Sequence, residues 1–172
     1  MKMILYMTRG VSINEWKRIG LYNRELKLYR NLLKENIIKC LFIISYEKNI
    51  RNIYKIEKNI YVISVPYFLP FNKLTMYFYQ FISPFFFKKI IYKADVIKSN
   101  QVDGSISVLF AKILNSKFKS YVRCGYLPSK FIASSKNKNT LEYLKLVYFF
   151  LYEKIVFNFS DISVVPTKED HI

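Results

Sequence analysis

The stretch from residue 94 to residue 130 reads ADVIKSNQVDGSISVLFAKILNSKFKSYVRCGYLPSK and decides the fold class. Its apolar spacing predicts a strand at Asp95–Ser99, a helix with one buried face at Ser105–Asn115, and a second strand at Lys119–Arg123. The segment CGYLP at 124–128 then breaks the second strand. A strand–helix–strand unit of about 30 residues implies two parallel strands joined by a right-handed crossover.

Polar residues follow both predicted strands. Asn100, Gln101 and Asp103, with Gly104, come after the first strand, and Arg123 ends the second. Because ligands of open parallel sheets bind beyond the carboxyl ends of the strands, we expect a binding site at this edge. The stretch indicates where a ligand binds, and it does not identify the ligand.

The rest of the chain alternates apolar strands with helices. Further strands are predicted at 3–8, 37–45, 59–65 and 162–165, and further helices at about 21–34, 71–92 and 141–158. The helix at 71–92 is expected to break near Ser83 and Pro84, and residues 11–19, 46–58 and 129–139 are expected to form loops. Six strands alternating with helices predict an α/β fold with a doubly wound, mostly parallel sheet.

The composition predicts one folded domain that is strongly basic. Of 172 residues 52% are hydrophobic, which excludes a disordered chain and supplies a real core. There are 28 basic and 12 acidic residues, giving a net charge of +16. This charge favours an anionic partner, namely nucleic acid, acidic lipid or a phosphorylated ligand. The alternative is that lysine is only the default surface residue of a chain rich in Lys, Asn, Ile, Tyr and Phe.

Several classes of protein are disfavoured. Two cysteines and one histidine are too few for a zinc site, so no metal site is expected. No charge-free apolar run reaches the roughly 18 residues of a spanning helix, and the N-terminus lacks a signal-peptide core. The two cysteines are also too few for a disulfide framework, and because reduced thiols suit the cytoplasm, we expect a cytoplasmic protein. Aromatic residues beside lysines at 71–92 are typical of a segment at a membrane surface, so peripheral binding at the inner face of the plasma membrane is a further expectation. The alternative is that these aromatics form core.

Two glycines bracket the segment after the first strand. Arg9 and Gly10 end that strand, and Gly20 precedes the first long helix, where a glycine would let the backbone approach a phosphate. The glycines are ten residues apart, so there is no GxGxxG motif, and the second predicted strand ends at Ser45 rather than at an acidic residue. Both absences disfavour a nicotinamide-dependent oxidoreductase. Ordinary turn glycines remain the alternative interpretation.

Four motifs occur in order along the chain. They are Gly20 with Arg24-Glu25, then Asp95–Gln101 with Gly104, then Val122–Tyr126, and finally Ser160–Thr167. Together they span nearly the whole chain and resemble the N-terminal, Rossmann-like half of a GT-B glycosyltransferase of family 4. The resemblance implies transfer of a sugar from a nucleotide sugar to a lipid-linked or polysaccharide acceptor in cell-surface glycan synthesis, with the acceptor held by this half and no cofactor.

The resemblance also predicts the domain organisation. The family's donor motif, two glutamates eight residues apart, belongs to the second half, and residues 1–172 contain no such pair. Thr167 and Asp170 resemble a helix cap, so we expect a single acceptor-side domain that continues into a missing donor-binding domain and is inactive alone. Many members place a histidine after the strand that ends here at Arg123, but this chain has Cys124, and its one histidine is His171.

The resemblance implies roles for the polar residues at the sheet edge. Arg9, Arg123 and the amides near Gly20 would stabilise the departing diphosphate, while Asn100, Gln101 and Asp103 would hydrogen-bond sugar hydroxyls. No catalytic residue is identified. The implied substrate-binding residues are Arg9, Gly10, Gly20, Asn100, Gln101, Asp103, Gly104, Arg123, Gly125 and Tyr126.

Three alternatives stay open. Arg24 and Glu25 form either a structural pair or part of the site. Arg123 either contacts a ligand or pairs with Asp103. For the whole chain, the alternative function is that of a non-catalytic basic module that binds nucleic acid. Nucleic acid is the less favoured partner, because such a module needs a recognition motif or aromatic residues on an exposed sheet face.

Overall fold

The computed structural model describes residues 1–49, 51–135 and 139–165. The predicted turn into a helix at 166–170 therefore lies outside the described residues, as does His171. The strands are β1 Lys2–Tyr6, β2 Cys40–Lys48, β3 Ile53–Glu57, β4 Ile60–Val65, β5 Val96–Ser99, β6 Lys119–Arg123 and β7 Ile162–Val164. The helices are α1 Ile13–Arg18, α2 Tyr22–Lys34, α3 Lys73–Phe86, α4 Lys88–Ile91, α5 Ser105–Leu114, α6 Pro128–Ala133 and α7 Thr140–Phe159, with a 3-10 turn at Val102–Gly104.

The seven strands form one sheet in the order β3-β4-β2-β1-β5-β6-β7. Every neighbouring pair is parallel except β3 with β4. The α/β class and the doubly wound, mostly parallel sheet are therefore confirmed. Strand β1 lies at the centre, where Ile4 is opposite Phe42 of β2 and Ile97 of β5. The chain extends the sheet first to one side of β1 and then to the other, so the topological switch point lies between β1 and β5.

Helices cover both faces of the sheet. Because side chains alternate along a strand, β1 supplies both halves of the core. Ile4 and Tyr6 pack with residues of α3, α4 and α5, whereas Met3, Leu5 and Met7 pack with residues of α1 and α2. Burial on both faces explains why β1 is apolar at every position after Lys2.

The strand β3 lies inside the segment 46–58 that was predicted as an irregular surface connection, so that prediction is wrong. It pairs antiparallel with β4 across a tight turn in which Asn59 has a φ of 63°. Because β3 is an edge strand, only one of its faces packs against the core. Lys55 and Glu57 interrupt its apolar pattern. The pairing with β4, rather than the local pattern, makes this segment a strand.

Strand β2 begins three residues later than predicted, at Cys40. Ile37 was the predicted first residue of this strand. It instead belongs to the end of α2, because its amide donates to the carbonyl of Leu32 at 2.9 Å. Asn36 turns the chain there with a φ of 57°. The apolar residues before Cys40 therefore belong to the helix end.

Two short helices replace predicted loops. Helix α1 falls within 11–19, where the Ser12 hydroxyl caps the helix by accepting from the Glu15 amide at 3.0 Å. Helix α6 falls within 129–139 apart from its first residue, and its first turn is tied to α7 because the Ser129 amide donates to the Glu153 carboxylate at 2.9 Å. Each helix has six residues, which is too short for an apolar period to stand out in the sequence.

Helix α3 continues through Pro84 and ends at Phe86, so the interruption predicted near Ser83 and Pro84 lies instead at Phe87, between α3 and α4. A proline inside a helix has no N–H to donate and leaves the carbonyl four residues earlier without its partner. Here that carbonyl belongs to Gln80, and the Ser107 hydroxyl of α5 donates to it at 2.6 Å. A tertiary contact therefore replaces the bond that the proline removes, and the helix passes through.

The Asp161 carboxylate attaches the last strand, β7, to its neighbours through hydrogen bonds. Asp161 accepts from the Ser120 amide at 2.8 Å and from the Lys112 ammonium at 2.6 Å. These contacts, the lysine hydrogen bond foremost, hold the pKa of Asp161 well below its ordinary value. The contacts join β7 to β6 and α5, and they give the aspartate of the last motif a structural role.

Candidate functional site

The turn after β1 places Arg9 at the switch point. The Val11 amide donates to the Thr8 carbonyl at 3.0 Å, and Gly10 has a φ of 75°, which favours glycine at this position of the turn. The Arg9 guanidinium lies 3.3 Å from the Asp103 carboxylate and 5.1 Å from the centre of the Tyr77 ring. The structure thus brings together Arg9 and Asp103, two residues predicted for the site.

Asp103 reaches Arg9 because the segment after β5 passes very close to β1. The Asn100 amide donates to the Tyr6 carbonyl at 2.8 Å, and a Cβ built on Gly104 would lie 2.9 Å from the Met7 carbonyl oxygen. Glycine at 104 therefore permits the approach of the two segments. Burial raises the pKa of Asp103, while the neighbouring Arg9 lowers it.

Two pockets meet at Arg9 and Tyr77. The first pocket has a volume of about 810 Å³ and lies between the turn after β1 and the beginning of α3, with Asn72, Lys73 and Met76 in its wall. Its described lining residues include two cations, Arg9 and Lys73, and no acid. An anionic group such as a phosphate fits this charge pattern.

The second pocket has a volume of about 250 Å³ and lies between α3, α5 and α7. Its polar side chains are Arg9 and Asp103 together with Gln80 of α3 and Lys145 of α7. The rest of its wall is apolar or aromatic: Tyr77, Phe81, Ile106, Tyr148, Phe149 and Tyr152. A few polar groups converging in an aromatic-lined cavity is the usual arrangement of a small-molecule site.

Gln80 is the least satisfied polar side chain of the second pocket. The residue is 3% exposed, and its Oε1 atom accepts no hydrogen bond from the described residues. An unpaired buried acceptor costs about 1–3 kcal/mol. The oxygen itself has almost no solvent-accessible surface. A ligand hydroxyl would therefore remove the cost only if the Gln80 side chain turns its oxygen toward the pocket.

Tyrosines of α7 close the other side of the second pocket. The rings of Tyr148 and Tyr152 are stacked, with centroids 6.2 Å apart. The Tyr152 hydroxyl donates to the Val102 carbonyl at 2.8 Å, which fixes α7 against the turn that carries Asp103. Burial, followed by a hydrogen bond with Tyr77, raises the pKa of Tyr148 to about 12. At neutral pH this ring therefore offers a neutral hydroxyl and an apolar face.

Arg123 lies away from these pockets. Its guanidinium is 3.7 Å from the carboxylate of Glu25, on the α2 side of the sheet, and Glu25 also pairs with Arg24 at 2.8 Å. The predicted pair of Arg24 with Glu25 is therefore formed. Pairing of Arg123 with Asp103, the open alternative, is wrong because Asp103 pairs with Arg9.

Two other predicted residues link the ends of β5 and β6. The Gln101 side-chain oxygen accepts from the Gly125 amide at 2.8 Å, and a Cβ on Gly125 would collide with the same side chain. Tyr126 is 62% exposed, and its carbonyl accepts from the Cys124 thiol at 2.8 Å. These contacts give the Gln101–Gly125 connection a structural role and leave the Tyr126 ring on the surface.

Gly20 ends α1. The Gly20 amide donates to the Lys17 carbonyl at 3.3 Å and the Leu21 amide to the Trp16 carbonyl at 2.8 Å, and Gly20 has a φ of 75°. This is the Schellman arrangement, which satisfies the last carbonyls of a helix. Both amides are directed at the helix, which favours the interpretation of Gly20 as a turn glycine.

Lys98 was not among the predicted site residues. It is 5% exposed, donates to the Tyr29 hydroxyl at 3.0 Å, and lies over the rings of Tyr29 and Tyr121 at 5.1 and 5.4 Å. Burial, then repulsion from Arg123, lowers the pKa of Lys98 to about 8. The signal in the sequence is a lysine within the apolar strand VIKS.

The pocket residues of α3 and α7 were also missed. Gln80, the one amide side chain within α3, was the available signal, because a polar residue there needs either solvent or a buried partner. Nothing local distinguishes Tyr148 and Tyr152 from the other aromatics of α7.

The described residues contain no group of three or more His, Cys, Asp or Glu side chains that could hold a metal ion. Within the same residues, no helix has both the length and the apolar character needed to cross a membrane. Both sheet faces are covered by helices, so the sheet does not offer an exposed aromatic face, which is one of the two features expected of a nucleic-acid-binding module.

The chain matches no known family model, and no curated protein sequence matches it. The resemblance to family 4 glycosyltransferases therefore rests on the four motifs of the sequence and on a fold class that agrees with them.

Proposed function

We propose that this chain is the acceptor-binding half of a GT-B glycosyltransferase of family 4. The complete enzyme would transfer a sugar from a nucleotide sugar to a lipid-linked or polysaccharide acceptor. The observation that carries the proposal is an aromatic-lined pocket at the switch point of the sheet, whose wall contains Arg9, Asp103 and the buried Gln80 side chain with its unpaired oxygen.

The second pocket would bind a sugar ring. Gln80 and Asp103 supply oxygen atoms that accept from hydroxyl groups, and Tyr77 and Tyr148 supply faces against which the apolar side of a ring can pack. The buried Gln80 oxygen discriminates against a ligand without the matching hydroxyl, since it then stays unpaired.

The first pocket would bind the phosphate groups that join the sugar to its carrier. Arg9 borders both pockets, and Lys73 lies in the wall of the first. A guanidinium can bind a phosphate through two hydrogen bonds, and a lysine adds a point charge. A sugar diphosphate would thus lie across Arg9, with its ring beside Gln80.

The donor would be bound by a second α/β domain that closes over this edge of the sheet. Closure would exclude water and align the acceptor hydroxyl with the donor sugar. Within the present chain, Arg9, Gln80 and Asp103 would bind and orient the acceptor. We expect the chain alone to bind the acceptor without transferring sugar.

Calorimetric titration with a short-chain prenyl diphosphate carrying one sugar tests the proposal. Gln80→Leu should weaken binding about tenfold, the equivalent of about 1.4 kcal/mol, because one buried hydrogen bond is lost. The same change should stabilise the free protein by about 1 kcal/mol, since it removes an unpaired buried acceptor. Arg9→Gln should weaken binding at least as much.

Lys119→Gln is the matched control for Arg9→Gln. It removes one positive charge from an exposed side chain at the start of β6, at the opposite edge of the sheet. Its affinity should equal that of the wild type. Failure of the wild type to bind any sugar diphosphate, or unchanged affinity after Gln80→Leu, would contradict the acceptor site. Release of nucleotide from nucleotide sugars by this chain alone would contradict the two-domain mechanism.

A further inference from the structure

Helix α7 leaves an apolar stripe uncovered. The α7 stripe consists of Leu141, Leu144, Tyr148, Leu151, Ile155 and Phe159, which are 49–64% exposed. These positions recur at intervals of three and four residues and therefore share one face of the helix. They extend over about 27 Å of helix length at about 1.5 Å per residue. A surface helix normally directs such a stripe at the core.

Helix α3 carries a second uncovered stripe. The α3 stripe consists of Leu74, Phe78, Ile82 and Phe85, which are 40–67% exposed. Both helices also line the second pocket, α3 through Tyr77 and Phe81 and α7 through Tyr148 and Phe149. The two stripes therefore belong to helices that flank the same pocket.

The segment of sequence that contains the α3 stripe is positively charged. Between Glu57 and Asp95 the sequence contains five lysines and no acidic residue. The lysines are Lys58, Lys73, Lys88, Lys89 and Lys93. An apolar face bordered by basic residues is complementary to an anionic lipid surface.

The carboxylates of the two acidic residues of α7 form hydrogen bonds outside the stripe. The Glu142 carboxylate accepts from the Asn139 amide in the cap at the start of α7. Glu153 is fully buried and accepts from the Ser129 amide. Lys145 and Lys154 are the exposed charged side chains of this helix, so the net charge beside the stripe is positive.

We infer that the α3 and α7 stripes together form a docking face for an anionic phospholipid bilayer. Both helices would lie in the plane of the interface, with the aromatic and leucine side chains among the upper acyl chains and the lysines at the headgroups. A second copy of the chain fits the face less well, because each copy carries a net charge of +16 and like charges repel.

Docking would place the second pocket at the lipid surface, because Tyr148 belongs to both the α7 stripe and the pocket wall. A ligand anchored in the bilayer could then enter the pocket without leaving the membrane. This consequence depends on the proposed acceptor site, whereas docking itself does not. Vesicles without any acceptor therefore test docking separately.

Co-sedimentation with vesicles gives the first measurement. The wild-type chain should bind phosphatidylcholine vesicles that contain phosphatidylglycerol at least about tenfold more tightly than vesicles of phosphatidylcholine alone, because each lysine near an anionic surface contributes. Binding should weaken as salt is raised, since salt screens these charges. Equal or negligible binding to the two kinds of vesicle would overturn the inference.

Paired substitutions locate the face. Leu144→Glu with Leu151→Glu places two charges in the α7 stripe, at side chains that are 64% and 53% exposed, and should weaken vesicle binding at least about tenfold. The control is Ile19→Glu with Leu28→Glu, which changes the net charge equally at side chains 48% and 53% exposed on the α1–α2 side. The vesicle affinity of this control should stay within about threefold of the wild-type affinity, because only the general loss of positive charge affects it. Circular dichroism verifies that both variants fold, and equal effects of the two pairs would overturn the inference.

A tryptophan reporter tests insertion. Leu151→Trp adds an indole to the α7 stripe, while the native Trp16 is 2% exposed in the opposite layer. Brominated lipid should quench the indole at position 151 and leave Trp16 emission unchanged. No quenching at position 151 would overturn the inference. So would a dimer in sedimentation velocity that Leu144→Glu with Leu151→Glu dissociates, because the stripe would then be a protein interface.

Discussion

At the scale of single residues, two cations near the same edge of the sheet have opposite environments. Arg9 is paired with Asp103 and partly exposed, so its charge is balanced and available to a ligand. Lys98 is buried beneath Tyr29 and Tyr121 and is held by a hydroxyl and two aromatic faces. The surroundings of Lys98 disfavour its ammonium form, and the free energy of unfolding should therefore depend on pH.

Lys98→Met should stabilise the folded chain at pH 7 by about 2 kcal/mol, because the wild type must keep a buried ammonium there. The folded-state pKa of about 8 lies below the ordinary value of 10.5. Between these values the unfolded chain binds more protons than the folded chain, so wild-type stability should rise with pH. Urea unfolding from pH 7 to about pH 9 measures this rise, because tyrosines of the unfolded chain, with a pKa of about 10, are still mostly neutral there.

The variant Lys98→Met is its own control for the other titrating groups, because they are unchanged in it. Its stability should not rise across the same interval and should fall slightly toward the upper end, because burial raises the pKa of several tyrosines in the folded chain. If wild type and variant change in parallel, the buried ammonium is not the cause of the pH dependence.

At the scale of elements, two glycines lie in close contacts beside the ends of β5 and β6. Gly104 lies against the Met7 carbonyl that follows β1, so the backbone itself leaves no room for a side chain at 104. Gly125 is equally crowded, but its neighbour is the end of the Gln101 side chain, which can move. Neither glycine has a positive φ, so substitutions at the two positions differ mainly in what surrounds them.

Gly104→Ala should lower the free energy of unfolding by about 1–3 kcal/mol, the range for overpacking, since α5 must move away from β1. Gly125→Ala should cost less than about 1 kcal/mol, because rotation of the Gln101 side chain relieves the contact. Urea unfolding of both variants provides the comparison. Equal losses would show that the approach of backbone to backbone is not the limiting contact.

At the scale of the whole molecule, repulsion among like charges opposes folding. The described residues form ion pairs such as Arg30 with Glu57, but 28 basic side chains cannot be matched by 12 acidic ones. Salt weakens the ion pairs and the repulsion together. Because the chain has an excess of 16 positive charges, the repulsion outweighs the attraction within the pairs.

The thermal midpoint should therefore rise by a few degrees when sodium chloride is raised from about 0.01 M to about 0.15 M, which shortens the Debye length from about 30 Å to about 8 Å. Differential scanning calorimetry at pH 7 measures the shift. A falling midpoint would mean that the surface ion pairs contribute more than the net charge.

The amino-acid sequence by itself determined the fold class, because each strand and helix of a parallel α/β sheet has its own local spacing of apolar residues. The unit from Asp95 to Arg123 is visible in this way, and its strands and helix lie within one residue of their predicted bounds. The sequence also placed Arg9, Asp103 and Gly104 at the correct edge, because each lies in the segment that follows a strand.

Only the tertiary structure decided which of those residues meet. Arg9 pairs with Asp103 because each lies in the segment that follows one of two neighbouring strands. Arg123, at the end of β6, contacts Glu25 instead, because alternate positions of a strand face opposite sides of the sheet and a spacing along the chain does not assign a residue to a layer. Gln80 and Tyr148 come from helices far apart in sequence that pack over α5. The exposed stripes of α3 and α7 follow from the same packing, which buries one side of each helix and leaves the other without a partner.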